Sequence, residues 1–285
     1  MHLRHLLVAV LALAAIAVTS TPAVANPFAK GPDPTASFVR AGQGPYGVTA
    51  VRVTDAASNS FGTGMIWRPV TTTGEKFGII AMAPGFLEDT TATSWLGQKL
   101  ASNGFVVMAF NTNTPFDQPP ARGKALLAAL DHMKVAASTV NIVDPTRQAV
   151  IGHSMGGGGT LTAAKARPSL KAAIGLASWH TDGTWPEITT PNLQIGVADD
   201  VIAPTFMHVI PFYNSIPATT PKAYLEYGSG SHFATNSYTP RNMATVLSWV
   251  KRFVDNDTRY SQFICPGPSA LTSGEFSVYR SSCPF

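Results

Sequence analysis

The chain has 285 residues, of which 45% are hydrophobic, 9% aromatic and only 13% charged, with a formal net charge of +4. That composition supports a large buried core and excludes an intrinsically disordered chain. The charge is mild and no Lys/Arg cluster concentrates it, so nucleic acid is excluded as a partner.

The first 25 residues read as a secretory leader: Arg4, an apolar run from Leu6 to Val18, and Ala23-Val24-Ala25 as an A-x-A cleavage site. The run is short for a membrane span and no second one follows, so an exported chain without a membrane anchor is expected. Loss of Arg4 with the leader takes the net charge from +4 to +3. The roughly 260 residues from 26 to 285 suit one large catalytic domain.

Residues 26–44 carry Pro and Gly and read as an extended strap. Short apolar or β-rich runs then predict strands at 47–53, 63–67, 77–82, 105–110, 148–152, 172–177, 193–197 and 222–227. Helical patterns lie at 92–103, 119–137, 155–166, 204–213 and 240–255. Strand and helix alternate through the centre, which predicts an α/β fold with a mostly parallel sheet covered on both faces. Short loops between the first strands predict an antiparallel start. Cys265 and Cys283 sit close together in an exported chain and read as one disulfide. Neither has the spacing of a zinc site.

The stretch AVIGHSMGGGGTL at 149–161 admits two readings. A phosphate-binding loop needs Lys-Ser/Thr after its last Gly, whereas Gly159 is followed by Thr160-Leu161. A dinucleotide fingerprint that starts at Gly156 and Gly158 puts Leu161 in its third Gly slot. Gly152-His153-Ser154-Met155-Gly156 fits G-x-S-x-G instead, between a predicted strand and a predicted helix. That turn lifts a Ser Oγ above the sheet.

A Ser nucleophile needs a base, and the base needs an orienting acid. In this fold the chain order is Ser, acid, His. Strand 193–197 runs into Ala198-Asp199-Asp200, so either Asp can be the acid. Strand 222–227 leads to Gly228-Ser229-Gly230-Ser231-His232. His132 and His208 fall in helical patterns, His153 is the variable residue of the pentapeptide, and His180 comes too early to be the base. Those four read as packed or surface histidines.

Taken together, these residues resemble the bacterial cutinases and poly(ethylene terephthalate) hydrolases of the α/β-hydrolase superfamily. The resemblance spans essentially all of 26–285. It is carried by APGF at 83–86, WLGQKLASNGFVV at 95–107, FDQPPAR at 116–122, GHSMGGGGTL at 152–161 and LKAAIGLASWH at 170–180. FYNS at 212–215, SHFATN at 231–236 and KRFVDNDTRY at 251–260 complete it. It implies Ser154 as nucleophile, Asp200 rather than Asp199 as acid, and His232 as base. It further implies an oxyanion hole from the backbone N–H groups of Phe86 and Met155. Trp179 takes the place of the cleft aromatic, with Phe86, His208, Phe212 and Phe233 also lining the substrate site.

Relatives usually carry Tyr at the Phe86 position, so a hydroxyl contact is lost while the backbone donor is kept. The slots of a second disulfide hold Val197 and Ala234, and those of a calcium site hold Ala198 and Gly228. The resemblance thus implies a lid-free monomeric esterase acting on polyester or other ester substrates, with no cofactor and no metal. A general carboxylesterase or triacylglycerol lipase is the alternative enzyme. A non-catalytic surface-binding homologue is disfavoured because every catalytic part is present.

Overall fold

A computed structural model describes residues 26–54, 60–72, 74–265 and 276–285. The leader expected over 1–25 lies outside them. The described residues build a nine-stranded sheet in the order β1-β2-β4-β3-β5-β6-β7-β8-β9. The strands are β1 (Val48–Val53), β2 (Gly64–Pro69), β3 (Phe77–Ala83), β4 (Phe105–Phe110), β5 (Val143–His153), β6 (Ala172–Leu176), β7 (Asn192–Val197), β8 (Lys222–Tyr227) and β9 (Val278–Ser281). β3 to β8 are mutually parallel, while β1–β2, β2–β4 and β8–β9 pair antiparallel. This is an α/β-hydrolase architecture.

Side-chain alternation on the central strands sorts the core into two layers. Ile80, Met82, Val107, Ile151 and Ile174 face one layer, where they meet Leu96 and Leu100 of α2 (Thr91–Ser102) and Leu247 and Val250 of α6 (Pro240–Val254). Ile79, Ala81, Val106, Met108 and Val150 face the other. There they meet Leu126 and Leu130 of α3 (Pro119–Val135), Leu161 of α4 (Met155–Ala166) and Phe212 of α5 (Val209–Ser215). Because both faces are covered, every residue of β3, β4, β6, β7 and β8 is buried. That is why β3, β4 and β6 read as continuous apolar runs rather than alternating ones, while β7 and β8 bury Asn192, Gln194, Lys222 and Glu226 among their apolar residues. Each fully buried Val, Leu, Ile, Phe or Met contributes ~1.5–3 kcal/mol.

Three local departures from the sequence reading have physical causes. The 26–44 strap is not extended throughout: α1 (Ala36–Ala41) forms within it. Thr35 caps it by accepting from Phe38 N, and Gly42 ends it in the left-handed region, φ 64°. β5 starts earlier than 148 because an irregularity takes up the turn-like Asp144-Pro145-Thr146: Phe77 pairs with Val143, and Ile79 with Gln148. The 204–213 helix begins only at Val209, since Met207 N and His208 N both donate to Pro204 O in a preceding turn.

β9 was not expected. It closes the far edge of the sheet, and Cys283 just beyond it is bridged to Cys265. Phe285 then packs on Trp249 and Phe253 of α6, with ring centroids 5.5 and 5.3 Å away. Among the described residues no helix is long and apolar enough to cross a membrane.

Candidate active site

In a parallel sheet the strand C-termini share one edge, and the loops leaving them form the crevice. Here those loops carry Pro84–Glu88 after β3, Ser154 after β5, Trp179 after β6, Asp200 after β7 and His232 after β8. Ser154 is held at φ 54°, ψ −120°, a conformation costly for any residue with a side chain. Its neighbours make the turn possible. A Cβ on Gly152 would run into the carbonyl of Gly156, and one on Gly156 would run into the carbonyls of Ala83 and Pro84. Ser154 N donates to Leu176 O at 2.9 Å, and its own carbonyl accepts from Gly158 and Trp179 at 3.0 and 2.9 Å. The strained geometry is therefore fixed from three sides.

His232 Nδ1 lies 2.7 Å from Asp200 Oδ2. The other Asp200 oxygen accepts from Ile202 N at 2.8 Å and Ala203 N at 2.9 Å. Burial alone would push this carboxyl up, but His232 and the two amide donors outweigh it and hold Asp200 below the usual carboxylate value. Asp199 is exposed, whereas Asp200 is 3% exposed. A bond to Nδ1 fixes the tautomer, so the neutral ring presents a lone pair at Nε2. That Nε2 is buried without a protein partner. His232 lines a cavity of about 220 Å³ together with Phe86, Glu88, Ser154, Ile202 and Phe233.

The Pro84–Glu88 turn meets the same cavity. Gly85 N donates to Glu88 Oε2 at 2.6 Å and Leu87 N to Pro115 O at 3.0 Å. Between them, Phe86 N meets no acceptor among the described residues. Met155 N, at the first position of α4, belongs to the turn of N–H groups that a helix leaves unpaired. Phe86 and Phe233 are 42% and 53% exposed, and Phe86 meets Phe116 edge-on at 5.8 Å. The mouth is thus apolar and aromatic.

Trp179 is half-buried, with its ring 5.6 Å from His208; His208 in turn lies 5.9 Å from Phe212. Burial lowers the His208 pKa and keeps that ring neutral. Phe212 is fully buried in the core layer that holds α3 and α4, so it backs His208 and does not itself face the cleft. His180 is likewise a packed histidine, edge-on to Trp185 at 4.8 Å.

Sequence reasoning passed over Glu88, Ile202 and Phe116 at the mouth, and Arg122 beneath it. Arg122 is buried and donates to the carbonyls of Pro84, Pro115 and Asp117, fastening the 84–88 turn to the 115–117 loop. A lone Arg inside an apolar helical pattern is the signal that could have found it. Among the described residues no group of three or more His, Cys, Asp or Glu is arranged to hold a metal ion.

A strained Ser after a central strand, followed in chain order by a buried Asp and a His that meet, marks an α/β-hydrolase. More narrowly, the chain belongs to the PETase family, described as PET hydrolase-like, whose model matches residues 22–284. It is 46% identical over 277 residues to a bis(hydroxyethyl) terephthalate hydrolase of Streptomyces coelicolor, covering 97% of this chain and 88% of that protein. It is 48% identical over 263 residues to the cutinase est1 of Thermobifida alba, covering 92% and 88%. Cutinase 1 of Thermobifida cellulosilytica is 46% identical over 264 residues, covering 92% of this chain and all of that one.

Proposed function

We propose that this protein is an exported, monomeric serine esterase that hydrolyses polyester chains, with Ser154, His232 and Asp200 as its catalytic triad. The observation that carries this reading is the 2.7 Å His232–Asp200 contact, which leaves His232 Nε2 without a partner beside a cavity lined by both His232 and Ser154. Relatives named for cutin and for bis(hydroxyethyl) terephthalate support a substrate with repeated ester bonds, aliphatic or aromatic.

Ser154 Oγ attacks the ester carbonyl carbon while its proton passes to His232 Nε2. The carbonyl oxygen becomes an oxyanion and is met by the N–H groups of Phe86 and Met155, each donor contributing about 3–4 kcal/mol to the transition state. Collapse expels the alcohol, which takes the proton from His232 and leaves Ser154 acylated. Water then attacks the acyl carbon and gives its proton to His232; the acid departs and the Ser154 hydroxyl is restored. Asp200 keeps the imidazole in the tautomer that accepts at Nε2 and stabilises the imidazolium.

The open aromatic mouth suits a chain segment of an insoluble polymer. The test is to compare release rates from cutin, poly(ethylene terephthalate), an aliphatic polyester and a triglyceride, with Ser154→Ala alongside. Polyester release that disappears in Ser154→Ala is expected. Triglyceride as the sole substrate, or a fully active Ser154→Ala, would overturn the reading.

A further inference from the structure

His153, the variable residue of the elbow, is completely buried and has hydrogen-bond partners at both ring nitrogens. Nδ1 lies 2.9 Å from Glu88 Oε2, and Nε2 lies 3.2 Å from the backbone carbonyl of His232. A carbonyl can only accept. Glu88 Oε2 already accepts from Gly85 N, and the Glu88 carboxyl sits below its usual value, because contacts with His153 and Gly85 outweigh the upward push of burial. Both partners of His153 are therefore acceptors. A neutral imidazole has a single N–H and can donate to only one of them, whereas an imidazolium donates to both.

The Glu88 carboxylate has a second oxygen, and it accepts from Asn236 Nδ2 at 2.8 Å. Glu88 and His153 thus reach three loops at once: the 84–88 turn through Gly85, the elbow through His153 itself, and the base loop through His232 O and Asn236. They also sit against the reacting groups. The His153 and His232 ring centroids are 4.8 Å apart. A Cβ placed on Gly85 would lie 2.7 Å from Glu88 Oε2 on one side and 2.9 Å from Ser154 Cβ on the other.

We propose that Glu88, largely buried, and His153, fully buried, form an ion pair that positions the machinery, holding the Phe86 donor and the His232 ring in register with Ser154. The proposal rests on the triad reading above. A pair of isolated charges this deep would be expensive; mutual neutralisation and four hydrogen bonds make it tenable. Neither side chain takes or gives a proton in the reaction. They are positioning residues, and their loss misplaces groups that must be aligned to a fraction of an ångström.

Two variants test this, Glu88→Ala and the isosteric Glu88→Gln, which keeps an acceptor for Gly85 but cannot neutralise His153. With p-nitrophenyl butyrate, kcat should fall about tenfold to a hundredfold, with KM within about twofold, at temperatures where circular dichroism stays native. In a cycle with His153→Gln, the double variant should be little worse than the poorer single one. Protein labelled with 15N-histidine should show both His153 ring nitrogens protonated at neutral pH, and Glu88→Gln should lose one of them. Unchanged kcat in a folded Glu88→Gln, additive losses, or a singly protonated His153 in the unaltered protein would each overturn the pair. Should Glu88→Ala fail to fold, Glu88→Gln and the nitrogen spectrum still decide. If Ser154→Ala remains active, the triad reading falls; if Ser154→Ala is dead and the Glu88 variants are normal, only the positioning pair falls.

Discussion

His232 Nδ1 and Asp200 Oδ2 lie 2.7 Å apart, although the two residues leave different strands of the sheet. Both oxygens of Asp200 are committed, one to the imidazole and the other to the Ile202 and Ala203 amides. The amides aim the carboxylate, and the carboxylate aims the ring. Asp200→Asn preserves the shape but offers an amide that can face Nδ1 with its own N–H, which favours the wrong tautomer. The expected loss in kcat is on the order of 10³–10⁴-fold. Asp199→Asn, on an exposed side chain one residue away, should stay close to the unaltered rate. Assay of both on one p-nitrophenyl ester decides between the neighbours, and the reverse ranking would move the acid to Asp199.

The same carboxylate ties stability to pH. Its folded-state pKa lies below the ordinary value near 3.9, because His232 and the amide donors favour the ionised form. A depressed carboxylate stabilises the fold above the unfolded pKa and loses that contribution as pH falls through the folded one. The melting-temperature gap between the protein and Asp200→Asn should therefore be largest near neutrality and shrink below pH ~4. A gap that widens on acidification would mean that Asp200 is held neutral in the fold.

Much of this was legible in the sequence because the constraint was local. Gly152 and Gly156 flank Ser154 where any side chain would meet backbone carbonyls, so the elbow declares itself within five residues. β3, β4 and β6, buried on both faces, announce themselves as apolar runs. What could not be read was whatever depends on loops meeting in space. Asp199 and Asp200 are equal candidates by residue type, and only the turn back through Ile202 and Ala203 makes one of them face inward. Glu88 and His153 are 65 positions apart, and nothing in either neighbourhood signals a partner. β9 is only four residues long and pairs with β8 across more than fifty positions, so it carries too little pattern to stand out.

The Cys265–Cys283 bridge tests a different part of the molecule. It joins the segment after α6 to the end of β9, at the sheet edge away from Ser154. With a sequence separation of 18, closing this loop in the unfolded chain is worth about 3 kcal/mol in the chain-entropy treatment. In a chain of this size that corresponds to a melting temperature lower by roughly 5–10 °C after reduction, or in Cys265→Ser with Cys283→Ser. Activity at moderate temperature should be unchanged, since no catalytic group rests on the bridge. Lost activity in a reduced protein that remains folded would place the C-terminal segment in the working of the site.

We propose that three rings in sequence set the width of the cleft. Trp179 is half-buried, and in this proposal an aromatic substrate ring stacks on it, a contact worth about 0.5–1.5 kcal/mol beyond the area it buries. His208 packs on Trp179 with centroids 5.6 Å apart, and Phe212, buried in the core, packs on His208 from behind. The buried His208 is backed by Phe212, so Trp179 is packed against from one side. His208→Ser with Phe212→Ile removes both supports and frees the indole to meet a flat ring. Terephthalate release from the aromatic polymer should rise, while hydrolysis of a short aliphatic ester should change much less, because that substrate has no ring to stack. Replacing a core Phe by a smaller side chain also leaves a partial void, so a lower melting temperature should accompany the gain. Both rates must accordingly be measured well below the transition. Equal changes on the two substrates would show that these rings act on stability or on the catalytic groups and do not set the width of the cleft.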